Sequence, residues 1–143
     1  MRLTISAALL DSIAAAGRAN LPREVCGLLI GLRSDDGITV ARIAPSANLA
    51  AGNDAFEIDP SLLLRLQREL RGTGEALVGL YHSHPFGEAR PSPRDLAGAN
   101  YPGFAWLITA FDADGAAVHA AFWHDSAAGV PPAVLEPMTI TVA

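Results

Sequence analysis

The chain has 143 residues, half of them hydrophobic and 17% charged, and its ten basic and fifteen acidic side chains give a net charge of −5 at pH 7. That length suits a single domain over residues 1–143, the apolar content excludes a mainly disordered chain, and the acidic balance repels phosphates, so no nucleic-acid partner is expected. The lone Cys26 excludes a disulfide framework and every Cys-rich zinc module, because both need several thiols.

In chain order, Thr4 and Ile5 read as a short opening strand. Residues 6–19 then read as a helix, with Ser6 as N-cap and Leu9, Leu10, Ile13 and Ala14 along one face. Asp11 and Ser12 interrupt the apolar run a secretory signal would need, and no stretch approaches the roughly 20 apolar residues of a membrane span. A cytoplasmic protein without a membrane partner is expected. Val25–Leu32 is apolar throughout and suits a strand buried on both faces; Asp35-Asp36-Gly37 turns it into the alternating run Ile38–Ile43. Residues 45–55 read as a polar loop.

Pro60 opens a second amphipathic helix, stopped by Gly72 and Gly74, and Ala76–Tyr81 is a further buried strand that runs into His82-Ser83-His84. A proline-rich loop, a short helix over 92–100, strands at Phe104–Phe111 and Ala117–Trp123, and a final strand in residues 138–142 complete the order. The pattern predicts an α/β fold: one domain, a mixed β-sheet flanked by helices.

Two positions carry metal chemistry in their spacing. Residues two apart on a strand project to one face, so His82 and His84 point at a common spot where a strand ends in a loop, as ligands do in α/β sheets. The same pair reads equally as two polar residues at an exposed strand end. Ser92-Pro93-Arg94-Asp95 has the form of a helix start, with Ser as N-cap, Pro at the first position and Asp closing a capping box. A capping hydroxyl accepts from a backbone N–H and keeps its own proton to donate, so capping and chemistry are compatible. Asp95 aimed back at the imidazoles would complete a His, His, Asp set with a fourth position open, the arrangement of catalytic rather than structural zinc. Glu24, taken alone, is a solvated junction residue.

Taken together, Glu24, His82-Ser83-His84 and Ser92-Pro93-Arg94-Asp95, with seven residues between His84 and Ser92, resemble the motif of the JAMM (MPN+) metalloproteases. The segments 22–29, 79–85 and 56–60 are similar to the family's glutamate segment, histidine strand and pre-helix loop. The resemblance covers about residues 1–125 and leaves the last eighteen unaligned. It implies a cytidine-deaminase-like mixed sheet and one Zn²⁺ per chain, held by His82, His84 and Asp95. It further implies that Glu24 acts as general base and then protonates the leaving amine, while Ser92 donates to the oxyanion. The implied reaction is amide or isopeptide hydrolysis after the C-terminal Gly-Gly of a ubiquitin-like or sulfur-carrier protein, whose tail would lie extended in a groove beside the site, with addition to a sheet edge as one way of holding it.

The alternative is a non-catalytic MPN-type scaffold, whose members lack the ligands this sequence retains. A zinc deaminase needs cysteine ligands that one Cys cannot supply. His119 is expected to face solvent or a partner strand, and Cys26 to be a buried small hydrophobe rather than a nucleophile. His124 and Asp125 end a strand, and Arg90 and Arg94 flank the motif.

Overall fold

The computed structural model describes residues 1–125 and 134–143. The elements are β1 (Arg2–Ile5), α1 (Ala7–Ala19), β2 (Cys26–Ser34), β3 (Gly37–Ser46), α2 (Pro60–Glu69), β4 (Ala76–His84), α3 (Pro93–Gly98), β5 (Ala105–Phe111), β6 (Ala117–His124) and β7 (Leu135–Val142). Each expected strand and helix is present. β3 takes in Pro45 and Ser46 from the expected loop, and β7 begins at Leu135, three residues ahead of the expected tail strand.

Local chemistry accounts for the helix starts. Ser6 accepts from the Leu9 N–H at 3.2 Å, and Asp59 accepts from the Ser61 N–H at 2.9 Å with Pro60 in the first turn. Asp35 and Asp36 form the two-residue turn between β2 and β3.

The sheet is mixed, with β4 and β5 parallel across α3 and the β2–β3 and β5–β6 hairpins antiparallel. It also closes on itself in the order β1-β3-β2-β4-β5-β6-β7, because β1 pairs in parallel with both β3 and β7. Every strand of the ring therefore has two neighbours, although β3 beyond Thr39 pairs with β2 alone. Closure was invisible in the sequence, since four residues of β1 carry no signal for which two strands they bridge.

Two apolar clusters divide the faces of this wall. The inner one draws on all seven strands, including Leu3, Leu29, Val40, Val78, Leu107, Ala121 and Met138, and is plugged by Leu10 and Ile13 of α1. The outer one lies on β2, β4 and β5, under Leu66 and Leu70 at α2, with Ile58, Ala99 and Trp106. Each fully buried Leu, Ile or Val contributes about 1.5–3 kcal/mol.

A bulge in β4 decides which face the histidines reach. Ile30 of β2 pairs with Leu77 and Leu29 pairs with Gly79, so Val78 is the additional residue. Before it, Leu77 faces outward; after it, Leu80 does, while Val78 and Tyr81 face inward. A regular strand would put residues 78, 82 and 84 on one face, inside the barrel. The bulge turns His82 and His84 outward instead. Gly79 follows it because a Cβ there would stand 2.4 Å from the Ala105 carbonyl oxygen of β5.

Candidate active site

His82 and His84 end β4 on its outward face and are buried, as are Glu24 and Asp95. Their polar atoms converge. His82 Nε2 and His84 Nε2 are 3.0 Å apart, and Asp95 Oδ2 lies 3.2 Å from the first and 3.0 Å from the second. Glu24 presents a carboxylate oxygen within 4.8 Å of a ring nitrogen of each histidine, and this trio could hold a metal ion. Its Oε1 is buried without a hydrogen-bond partner. A carboxylate oxygen in that state calls for a water or an ion beside it.

Each group is held by identifiable bonds. Asp95 belongs to the capping box expected from the sequence: its N–H donates to Ser92 Oγ at 3.0 Å, and its Oδ2 accepts from the Ser92 N–H at 2.9 Å. The cap and the imidazole cluster thus share one carboxylate oxygen. His84 Nδ1 lies 2.7 Å from the Glu88 carbonyl oxygen. A carbonyl can only accept, so Nδ1 carries a proton and Nε2 is the ring nitrogen turned to the cluster. The His82 ring stacks on Phe56 at 4.1 Å and meets the edge of Trp106 at 5.6 Å.

The electrostatics follow from burial and these contacts. Burial pushes the Glu24 carboxyl up to about 7; His84 opposes this and Asp95 adds to it. Burial lowers His82. Burial works against a charged His84 too, but the hydrogen bonds to Asp95 and Glu88 raise it above the ordinary imidazole value. For Asp95 burial would raise the carboxyl, yet the two imidazoles and the Ser92 N–H hold it well below the usual carboxylate range. Cys26, as expected, is buried, and burial pushes its thiol up to about 11, far from a reactive thiolate.

The structure brings together every residue of the sequence constellation. Glu24, His84 and Ser92 line one cavity of about 200 Å³, with the exposed Phe86 at its rim. Glu24 is buried rather than solvated, because the segment carrying it is clamped to β4. The Ser83 hydroxyl accepts from the Val25 N–H at 2.9 Å, and the Ser83 N–H donates to the Val25 carbonyl at 3.0 Å. Ser83 is thus a positioning residue that sequence reasoning passed over, although it stood between the two histidines.

Asn48 is another such residue. Its Nδ2 donates to the carbonyls of Glu24 and Ala55, and its Oδ1 accepts from the N–H groups of Ala50 and Glu57, all at 3.0 Å. It fastens the loop that carries Phe56. In a stretch of Ala, Asn and Gly, nothing in the sequence marked it out. His119 bonds the partner-strand hydroxyl of Thr109 at 2.7 Å, as expected. Arg94 pairs with Asp54 at 3.2 Å across the site, and Arg90 pairs with Glu88 on the exposed loop.

Comparison with known proteins gives the family and the fold. A family model described as prokaryotic homologues of the JAB domain matches residues 6–125. The chain is 36% identical over 116 residues to a desampylase of Haloferax volcanii, covering 78% of this chain and 82% of that protein. It is 30% identical over 106 residues to a CysO-cysteine peptidase of Mycobacterium tuberculosis, covering 74% and 71% respectively. The solution structure of a protein from Desulfitobacterium hafniense matches with a TM-score of 0.83 at 29% identity, over 99% of this chain and 92% of that one.

Proposed function

The chain belongs to the family of prokaryotic homologues of the JAB domain, and from that premise we propose that it is a zinc peptidase hydrolysing the amide bond after the C-terminal Gly-Gly of a ubiquitin-like or sulfur-carrier protein. The observation that carries this reading is the triangle of His82 Nε2, His84 Nε2 and Asp95 Oδ2, with sides of 3.0–3.2 Å, beside the unpartnered Glu24 oxygen. Tetrahedral ligands at zinc's usual 2.0–2.1 Å stand about 3.3 Å apart, so the donor set fits that ion in type and in spacing. The relatives named desampylase and CysO-cysteine peptidase support a carrier-type substrate.

His82, His84 and Asp95 would hold the ion. When bound, zinc lowers the pKa of water to about 7 and polarises the scissile carbonyl. Glu24, its carboxyl raised to about 7, takes the proton of the attacking water and hands it to the leaving amine. Ser92 accepts from the Asp95 N–H through a lone pair, so its own hydroxyl proton is free to donate to the developing oxyanion. The Glu88 carbonyl fixes the His84 tautomer. We place this chemistry in the cytoplasm, where a lone buried thiol such as Cys26 stays reduced.

The test is mass spectrometry of a carrier with a Gly-Gly-X tail after incubation with the zinc-loaded enzyme. Release of X with the Gly-Gly terminus exposed is expected. An uncut tail in the presence of about one bound zinc per chain would refute the reading.

A further inference from the structure

A side chain leaves the backbone between two planar peptide units, so the tilt of those units aims it. Within a strand the ladder fixes them, but Glu24 and Val25 lie ahead of β2, which begins at Cys26. The peptide that joins them is held by two side chains, one at each end. Its carbonyl oxygen, that of Glu24, accepts from Asn48 Nδ2 at 3.0 Å. Its N–H, that of Val25, donates to Ser83 Oγ at 2.9 Å. Ser83 is buried between the two histidines of β4. Asn48 is itself fixed by its bonds with Ala50, Ala55 and Glu57, in the loop whose Phe56 stacks on His82. Both grips therefore tie the peptide to elements that carry or touch the imidazoles. Arg23, next to the base, adds guanidinium bonds to the Asn48 and Ala50 carbonyls at 3.2 and 2.8 Å.

Building on the peptidase reading, in which Glu24 is the base, we infer that Asn48 and Ser83 act together as positioning residues that aim the Glu24 carboxylate at the attacking water. Neither lines the cavity that Glu24 shares with His84 and Ser92, so they act through Glu24 and not on the substrate. Glu24 Oε1 has no hydrogen-bond partner, so that oxygen is placed by the backbone behind it. A peptide released at one end can tilt, and an error of about 1 Å at a proton-transferring group costs on the order of a hundredfold in rate. The Asn48 amide is specifically required. Asp has the same shape and still accepts from Ala50 and Glu57, but it turns a second oxygen toward the carbonyls of Glu24 and Ala55, where a donor is needed.

The experiment compares Asn48→Asp and Ser83→Ala, each in the wild-type and in the Glu24→Gln background. Zinc content, kcat and KM are measured on a carrier with a Gly-Gly-X tail, and hydrogen exchange of the Val25 amide is measured in zinc-free protein. In the wild-type background each variant is expected to lose about tenfold to a hundredfold in kcat, with KM within about threefold and about one zinc per chain retained. In the Glu24→Gln background neither should lower the residual rate by more than about twofold, because no base is left to aim. A merely structural role would lower the rate equally in both. Val25 exchange should quicken by about tenfold in each variant, including Asn48→Asp, in which the Ser83 hydroxyl is intact. If Asn48→Asp fails to fold, Ser83→Ala decides alone. Undiminished kcat, equal losses in the two backgrounds, or loss of zinc overturns the inference and leaves the peptidase reading standing. A tail left uncut by the zinc-loaded wild type overturns the peptidase reading and the aiming role with it. Unchanged Val25 exchange in the folded variants removes the two-ended grip whatever the activity.

Discussion

The inner and outer faces of the barrel wall are built from the same strands, yet they treat polar groups in opposite ways. On the inner face Thr109 and Ser83 are buried, and both are paired, with His119 and with the Val25 backbone. Among the described residues, four buried polar side-chain atoms lack a partner: His82 Nδ1, Trp106 Nε1, His124 Nδ1 and Glu24 Oε1. The first three belong to outward-facing residues of β4, β5 and β6, and the fourth to the site itself. The inner face, closed by seven strands and a helix, stabilises the fold. The outer face carries the site, and its unpaired polar atoms include those of Glu24 and His82 within it.

Mutations on each face should separate these roles. The largest effect is expected at Glu24: Glu24→Gln keeps the metal but loses about 10³-fold in kcat, measured on a cleaved carrier, because only the base is removed. On the inner face, Leu29→Ala should cost about 3 kcal/mol in denaturant unfolding, while the folded fraction still binds one metal ion. Ser92→Ala should lower kcat about a hundredfold through the lost oxyanion donor, with only about 1 kcal/mol of stability lost with the cap.

The smallest effect runs the other way. In metal-free protein the folded state holds Glu24 protonated up to about pH 7, whereas the unfolded chain ionises it near 4.5. Stability is thus lost as pH rises between those values, and Glu24→Gln should restore about 2 kcal/mol at pH 8 and nothing below pH 4. Equal melting temperatures for the two metal-free proteins at pH 8 would mean that the buried carboxylate is not a burden to the fold.

Much of this was legible in the sequence where the signal was local. The Ser6 and Ser92 caps, the Asp35-Asp36 turn and the common face of His82 and His84 all follow from spacings of two to four residues, and all are present. What could not be read were the non-local features. Closure depends on β1 meeting β7 across nearly the whole chain. The burial of Glu24 depends on Ser83, some sixty residues later, clamping its segment. The Asn48 bonds join three stretches that the sequence presents as loop. Chemistry announced itself through residue type, whereas support relied on Ser and Asn, which occur everywhere.

The bulge at Val78 has an evolutionary consequence. Because one additional residue sets which way the last third of β4 faces, the stretch from Leu77 to His82 is a counted interval rather than a measured one. Conservative replacements of Val78 or Leu80 within it cost packing and little else. Losing or gaining a single residue there would exchange the sides of the wall, turning both imidazoles into the aliphatic interior and Tyr81 toward the reacting bond. Length variation among descendants of this chain is therefore expected to gather in the 49–55 and 85–91 loops, where a residue more or less changes reach, and to stop short of β4, where it would change parity.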